Sequence, residues 1–77
     1  MAYGVIMMFQ RIRDLREDRD ITQTELAKHL QIHQTTYSDY EIGNLNVPID
    51  ILIKLAKFYN TSIDYIVELT DNPNPYR

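Results

Sequence analysis

QTELAKHLQIHQTTYSDYEIG, residues 23–43, decides the fold of this 77-residue chain. Leu26, Ala27 and Leu30 recur at helical spacing, and Tyr37 and Tyr40 do so again further on. Between the two stretches, Gln31 to His33 leave room only for a turn, with Ile32 as its apolar plug. Two helices joined so closely must cross near Ala27, where a bulkier side chain would push them apart. Thr22 and Glu25 form a capping-box pattern, in which each side chain satisfies a backbone amide at the start of the first of these helices. Gly43 closes the second, because glycine accepts the left-handed conformation common at helix ends. With Tyr37 and Tyr40 turned inward, Gln34, Thr35, Ser38 and Asp39 are left on outward or flanking faces.

Upstream, Phe9, Ile12, Leu15 and Arg16 share one face of a helix over about residues 7–19. Downstream, residues 44–47 read as a loop, and Pro48 suits a helix start, where its missing amide proton costs nothing. That fourth helix runs to about Tyr59 with two apolar stripes, Ile49, Leu52, Ile53 and Ala56, then Ile51, Leu55 and Phe58. A helix apolar on most sides is either central to a core or shared with a partner. Asn60 is its expected stop, and Ser62 the expected cap of a short fifth helix through Leu69. No strand pattern is present, so the class is all-α with five helices. The expected organisation is an apolar leader over 1–8, one domain over 9–69, and a flexible tail over 70–77 that carries two prolines.

Composition narrows the function. A chain of 9.2 kDa has room for one core. Without cysteine there is no disulfide scaffold or thiolate metal site. No apolar run approaches the roughly 18 residues of a membrane span, so a cytoplasmic setting is expected. The net charge of −3 argues against a nonspecific polyanion binder, whose affinity rests on many cations. Arg11, Arg13, Arg16 and Arg19 interleave with Asp14, Glu17, Asp18 and Asp20, which reads as a solvated, salt-bridged helix. His29 and His33 are separated by the turn and lack an obvious third ligand, so no metal is expected, nor any cofactor. Nothing resembles a nucleophile with its base, a phosphate-cradling loop or a paired-carboxylate site, and an enzyme is not expected.

From about Phe9 to Leu69 the chain resembles the Cro/repressor-type (XRE) helix-turn-helix family. The landmarks, in order, are Leu15–Arg16, Gln23, Leu26–Ala27, Ile32, Tyr37–Ser38, Tyr40–Glu41 and Gly43, then Pro48, Leu55–Ala56 and Ser62–Ile63–Asp64. The resemblance implies a five-helix, lambda-repressor-like domain that regulates transcription as a repressor. Its second motif helix, about residues 34–41, would lie in the major groove of a double-stranded operator. Gln23 would meet the DNA backbone at a helix N-terminus. Gln34 and Thr35 would read base edges, glutamine being suited to adenine and threonine to a thymine methyl, with Asp39 one turn further on. Thr22, His33, Thr36, Ser38 and Asn44 complete the expected DNA-binding set. Arg16 and Glu41 match an internal salt bridge between helices 1 and 3. A homodimer is expected, since two half-sites about 34 Å apart double what one helix can read. Phe58, Tyr65, Ile66 and Leu69 are its candidate surface, together with the segment Tyr3 to Met8.

The chain departs from the family pattern in places. Gln31 stands where glycine is usual in the turn, and His33 replaces the usual serine or threonine cap. Ile42, Asn44 and Leu45 occupy positions often basic in relatives, and Lys28 is the sole lysine or arginine between residues 21 and 47. That acidic balance leaves a second reading open, a protein-interaction module (an antirepressor or accessory subunit) with weak or no DNA binding.

Overall fold

The structure, a computed structural model, describes residues 10–75. Five helices follow in order: α1 Gln10–Asp18, α2 Gln23–Leu30, α3 Gln34–Ile42, α4 Ile49–Tyr59 and α5 Ile63–Ile66. No strand occurs among the described residues, so the chain is all-α and of the five-helix, lambda-repressor-like kind. Phe9, the segment Tyr3 to Met8 and the leader 1–8 lie outside the described residues. No helix among the described residues is long and apolar enough to cross a membrane.

Local chemistry sets the helix starts. The capping box forms, with the Glu25 amide donating to Thr22 Oγ1 at 3.1 Å and the Thr22 amide to Glu25 Oε1 at 3.0 Å. These bonds hold the Glu25 carboxyl below its usual range. Pro48 stands immediately before α4, and the Ser62 hydroxyl accepts the Tyr65 amide proton at 3.0 Å to begin α5.

All five helices end in the same way. Asp20, Gln31, Gly43, Asn60 and Glu68 follow them in the left-handed conformation, with φ between 54° and 83°. The next amide then reaches back five residues: Ile21 to the carbonyl of Arg16, Ile32 to Ala27, Asn44 to Asp39, Thr61 to Ala56 and Leu69 to Asp64, at 2.8–3.2 Å. This closure satisfies carbonyls that a helix end otherwise leaves without partners. It also explains why α5 stops at Ile66 and does not reach Leu69. Glu68 turns left-handed, and Arg11 Nη1 donates to the carbonyls of Tyr65 at 3.0 Å and Thr70 at 2.7 Å.

The tail, expected to be flexible from residue 70, is bonded to the body as far as Pro73. Arg11 pairs with Asp71 at 2.6 Å, and the Thr61 hydroxyl donates to the Pro73 carbonyl at 2.6 Å.

The core draws on every helix. Ile12, Leu26, Leu30, Tyr37, Leu55 and Ile66 are wholly or almost wholly enclosed, and Ala27 lies between α2 and α3, which pack on each other. Leu15 and Ile32 pack partly buried against this centre. Leu52 and Ala56 are buried on one α4 stripe and Ile51 and Leu55 on the other. Ile49 and Ile53, on the first stripe, remain 62% and 41% exposed.

Candidate nucleic-acid interface

The turn from Gln31 to His33 presents α3 at the surface, anchored by its inner residues. Tyr37, Tyr40 and Glu41 are buried, while Gln34 and Thr35 are exposed and Thr36, Ser38 and Asp39 half-buried. His33 precedes the helix in an extended conformation and gives no side-chain cap, so its imidazole satisfies none of the first-turn amides.

Glu41 is the hub behind this face. Only 5% exposed, it accepts from Arg16 Nε at 2.7 Å and Nη2 at 3.3 Å, and from Gln23 Nε2 at 3.0 Å. Arg16 is held in turn by the Ile21 carbonyl at 2.8 Å. Burial pushes the Glu41 carboxyl up, but the interactions with Arg16, Tyr37 and Gln23, Arg16 foremost, outweigh it and keep the group below its usual range. The Arg16 guanidinium is raised for the same reason, chiefly by its hydrogen bond to Glu41. Nearby, burial pushes the Tyr59 hydroxyl up to about 12 and the Tyr37 hydroxyl further still.

The network continues outward. Gln23 Oε1 accepts from Gln34 Nε2 at 2.8 Å, so one unbroken chain of bonds runs from Arg16 through Glu41 and Gln23 to the front of α3. Gln23 therefore has an internal partner on each side of its amide, a bridging role that sequence reasoning missed. No local pattern signals it, because Gln23 and Glu41 meet only through the crossing of α2 and α3. At the far end of the face, Asn44 Nδ2 donates to Asp39 Oδ1 at 3.3 Å, and the Asp39 carbonyl receives the amides of Asn44 and Leu45. Thr22 is exposed beside the start of α2, with its hydroxyl used by the capping box.

No lysine or arginine lies on α3, and the nearby arginines are engaged elsewhere. Arg11 stacks over the Tyr65 ring at 4.2 Å, Arg13 pairs with Glu17 at 3.3 Å, and Arg19 donates to the Tyr59 carbonyl at 3.3 Å.

The expected partner surface is largely taken up by the fold. Ile66 is completely enclosed and belongs to the core, which corrects its placement on an interface. Phe58 is half-buried against His29 and Tyr59, and Tyr65 lies half-buried beneath Arg11. Leu69 is 77% exposed. Ile42, Leu45, Ile49 and Ile53 are the other large exposed apolar residues among those described.

A family model described as helix-turn-helix matches residues 12–66. Over 69 residues the chain is 41% identical to an uncharacterized HTH-type transcriptional regulator, YobD, of Bacillus subtilis (strain 168), covering 90% of this chain and 62% of that protein. It is 39% identical to the cryptic phage CTXphi transcriptional repressor RstR of Vibrio cholerae, over 79% of this chain and 55% of the repressor. A third relative, the HTH-type transcriptional regulator ImmR of Bacillus subtilis (strain 168), is 34% identical over 75% of this chain and 46% of its own length. The chain thus spans about half to three fifths of these relatives. No solved structure matches it. With the matched model covering the helices from α1 to α5, the chain belongs to the Cro/repressor-type (XRE) helix-turn-helix family of transcriptional regulators.

Proposed function

We propose that this chain is a sequence-specific DNA-binding repressor that lays α3 in the major groove of an operator. The observation that carries the reading is the bonded chain Arg16–Glu41–Gln23–Gln34. Gln34 spends one amide proton on Gln23 and keeps a second proton and its carbonyl oxygen, the pair that a bidentate contact with adenine needs. Holding the amide in advance lowers the ordering cost of that contact. Thr35 stands beside it for a hydroxyl bond or a thymine methyl, and Thr36, Ser38 and Asp39 flank the groove side. The second amide proton of Gln23, with the uncapped start of α3 behind His33, offers donors to phosphate. Thr22 and Asn44 lie at the edges of the same face. The reading includes a homodimer on two half-sites, with Leu69 as the exposed member of the expected surface.

Selection of duplexes from a random pool at low salt tests the reading. Enrichment of a two-fold symmetric motif is expected; a folded protein that enriches no motif overturns it.

The engagement of all four α1-region arginines within the fold favours a second reading, a protein-interaction module on the same framework. A stable protein partner that competes at Gln34 to Leu45, together with failed selection, is the outcome that reading expects.

A further inference from the structure

At the opposite end of α2 from Gln23 lies a pocket of about 550 Å³, lined by His29, Gln31, Lys54, Lys57 and Phe58. Gln23 and His29 stand six residues apart on α2, about 9 Å along the axis, and none of the pocket's lining residues belongs to the proposed DNA-binding set. It is an open depression at the surface, with His29, Gln31, Lys54 and Lys57 exposed along it and Phe58 half-buried at its base. The wall is mostly apolar. The His29 and Phe58 rings meet at 4.5 Å with their planes tilted by 52°, forming an aromatic corner.

The polar groups are of one sign. Lys54 and Lys57 stand three residues apart on α4, and side chains at that spacing share a helix face and can converge on one group. Lys54 makes a long bond of 3.4 Å to the Leu30 carbonyl, and Lys57 has no bonded or ionic partner among the described residues. No aspartate or glutamate lines the pocket, although the chain as a whole carries a net charge of −3. Two of its three lysines are therefore gathered around one aromatic corner, with a side-chain amide at Gln31 beside them.

We propose that this pocket binds a small molecule with a flat aromatic or apolar body and a carboxylate. The body stacks in the corner between His29 and Phe58, and the carboxylate is held between the ammonium groups of Lys54 and Lys57. The charge-assisted bonds supply orientation, and contact with the exposed His29 ring and the half-buried Phe58 ring supplies apolar stacking. The site goes beyond DNA reading and does not depend on it.

Titration of the isotope-labelled full chain with 2-naphthoate, followed by amide NMR shifts, tests the site. Saturable shifts at His29, Gln31, Lys54, Lys57 and Phe58 are expected, with 2-naphthamide binding about tenfold more weakly and acetate weaker still. The surface double variant K54Q/K57Q should lose about tenfold in affinity for 2-naphthoate at unchanged melting temperature, and K57Q alone should lose several-fold. The proposal is overturned by no saturation below roughly 10 mM, by equal binding of the neutral amide, by shifts centred on residues 42–53, or by unaltered affinity in the variants.

Discussion

Glu41 and Gln23 carry more of the arrangement than either side chain's type suggests. Glu41 is acidic in the helix proposed to meet a polyanion, yet it is spent inward on Arg16 and Gln23. Replacing Glu41 by Ala leaves a guanidinium that is only 13% exposed without its counter-ion, a change expected to cost about 3 kcal/mol in denaturant unfolding. The pH dependence has a definite sign. A carboxyl held below its usual 4.5 in the folded chain contributes stability that is fully present above that value. The contribution is lost as pH falls from there through the depressed folded value. Acid unfolding of the wild type should therefore steepen below about pH 4.5, and Glu41→Gln should flatten that limb. The Arg16–Glu41 pairing came into the sequence reading through family resemblance. The Gln23 bridge did not, because a glutamine amide has partners everywhere and only tertiary placement selects among them.

At the scale of the element, starts were easier to read than ends. A capping box, a proline and a serine are local chemistry, and they place the starts of α2, α4 and α5. Gly43 and Asn60 were legible stops, since both residue types tolerate left-handed backbone. Asp20 and Glu68 gave no comparable signal, and Glu68 is why the fifth helix was expected to run three residues too far. Its end depends on Arg11, a residue more than fifty positions away in the chain. Gln31 tests the cost of this style of closure. At φ 62° it carries a penalty that glycine avoids, and its side chain makes no hydrogen bond among the described residues. Gln31→Gly should raise stability by up to about 1 kcal/mol in thermal unfolding, with unchanged helix content. A loss of stability would mean that the turn is held by side-chain packing and not by backbone closure.

For the whole molecule, the all-α class and the inward and outward faces of α2 and α3 were legible because hydrophobic periodicity decides them. Exposure on α4 was not. Both stripes are apolar, and only the packed structure shows that Ile49 and Ile53 stay outside while Leu52 and Ala56 go in. Nor could the sequence reveal that Arg11 and Arg19 join Arg16 in bonding to the body, each to a backbone carbonyl. That use of positive charge shapes how the chain should bind DNA. Each phosphate neutralised by a cation contributes about −0.9 to the slope of log affinity against log salt. With the described arginines engaged and α3 without a cation, the slope per protomer should correspond to roughly three phosphates or fewer. A steep slope, near that of a basic binder, would mean that the arginines leave their internal partners on binding.

Whether Gln34, held by Gln23, reads a base as proposed is tested by paired affinity measurements. Wild type and Gln34→Ala would be titrated against the selected duplex and against duplexes substituted one base pair at a time. The variant is expected to lose roughly 1–3 kcal/mol on the selected duplex and to cease discriminating at a single A·T position, while its melting temperature holds. Equal affinity of the two proteins for every duplex would contradict it.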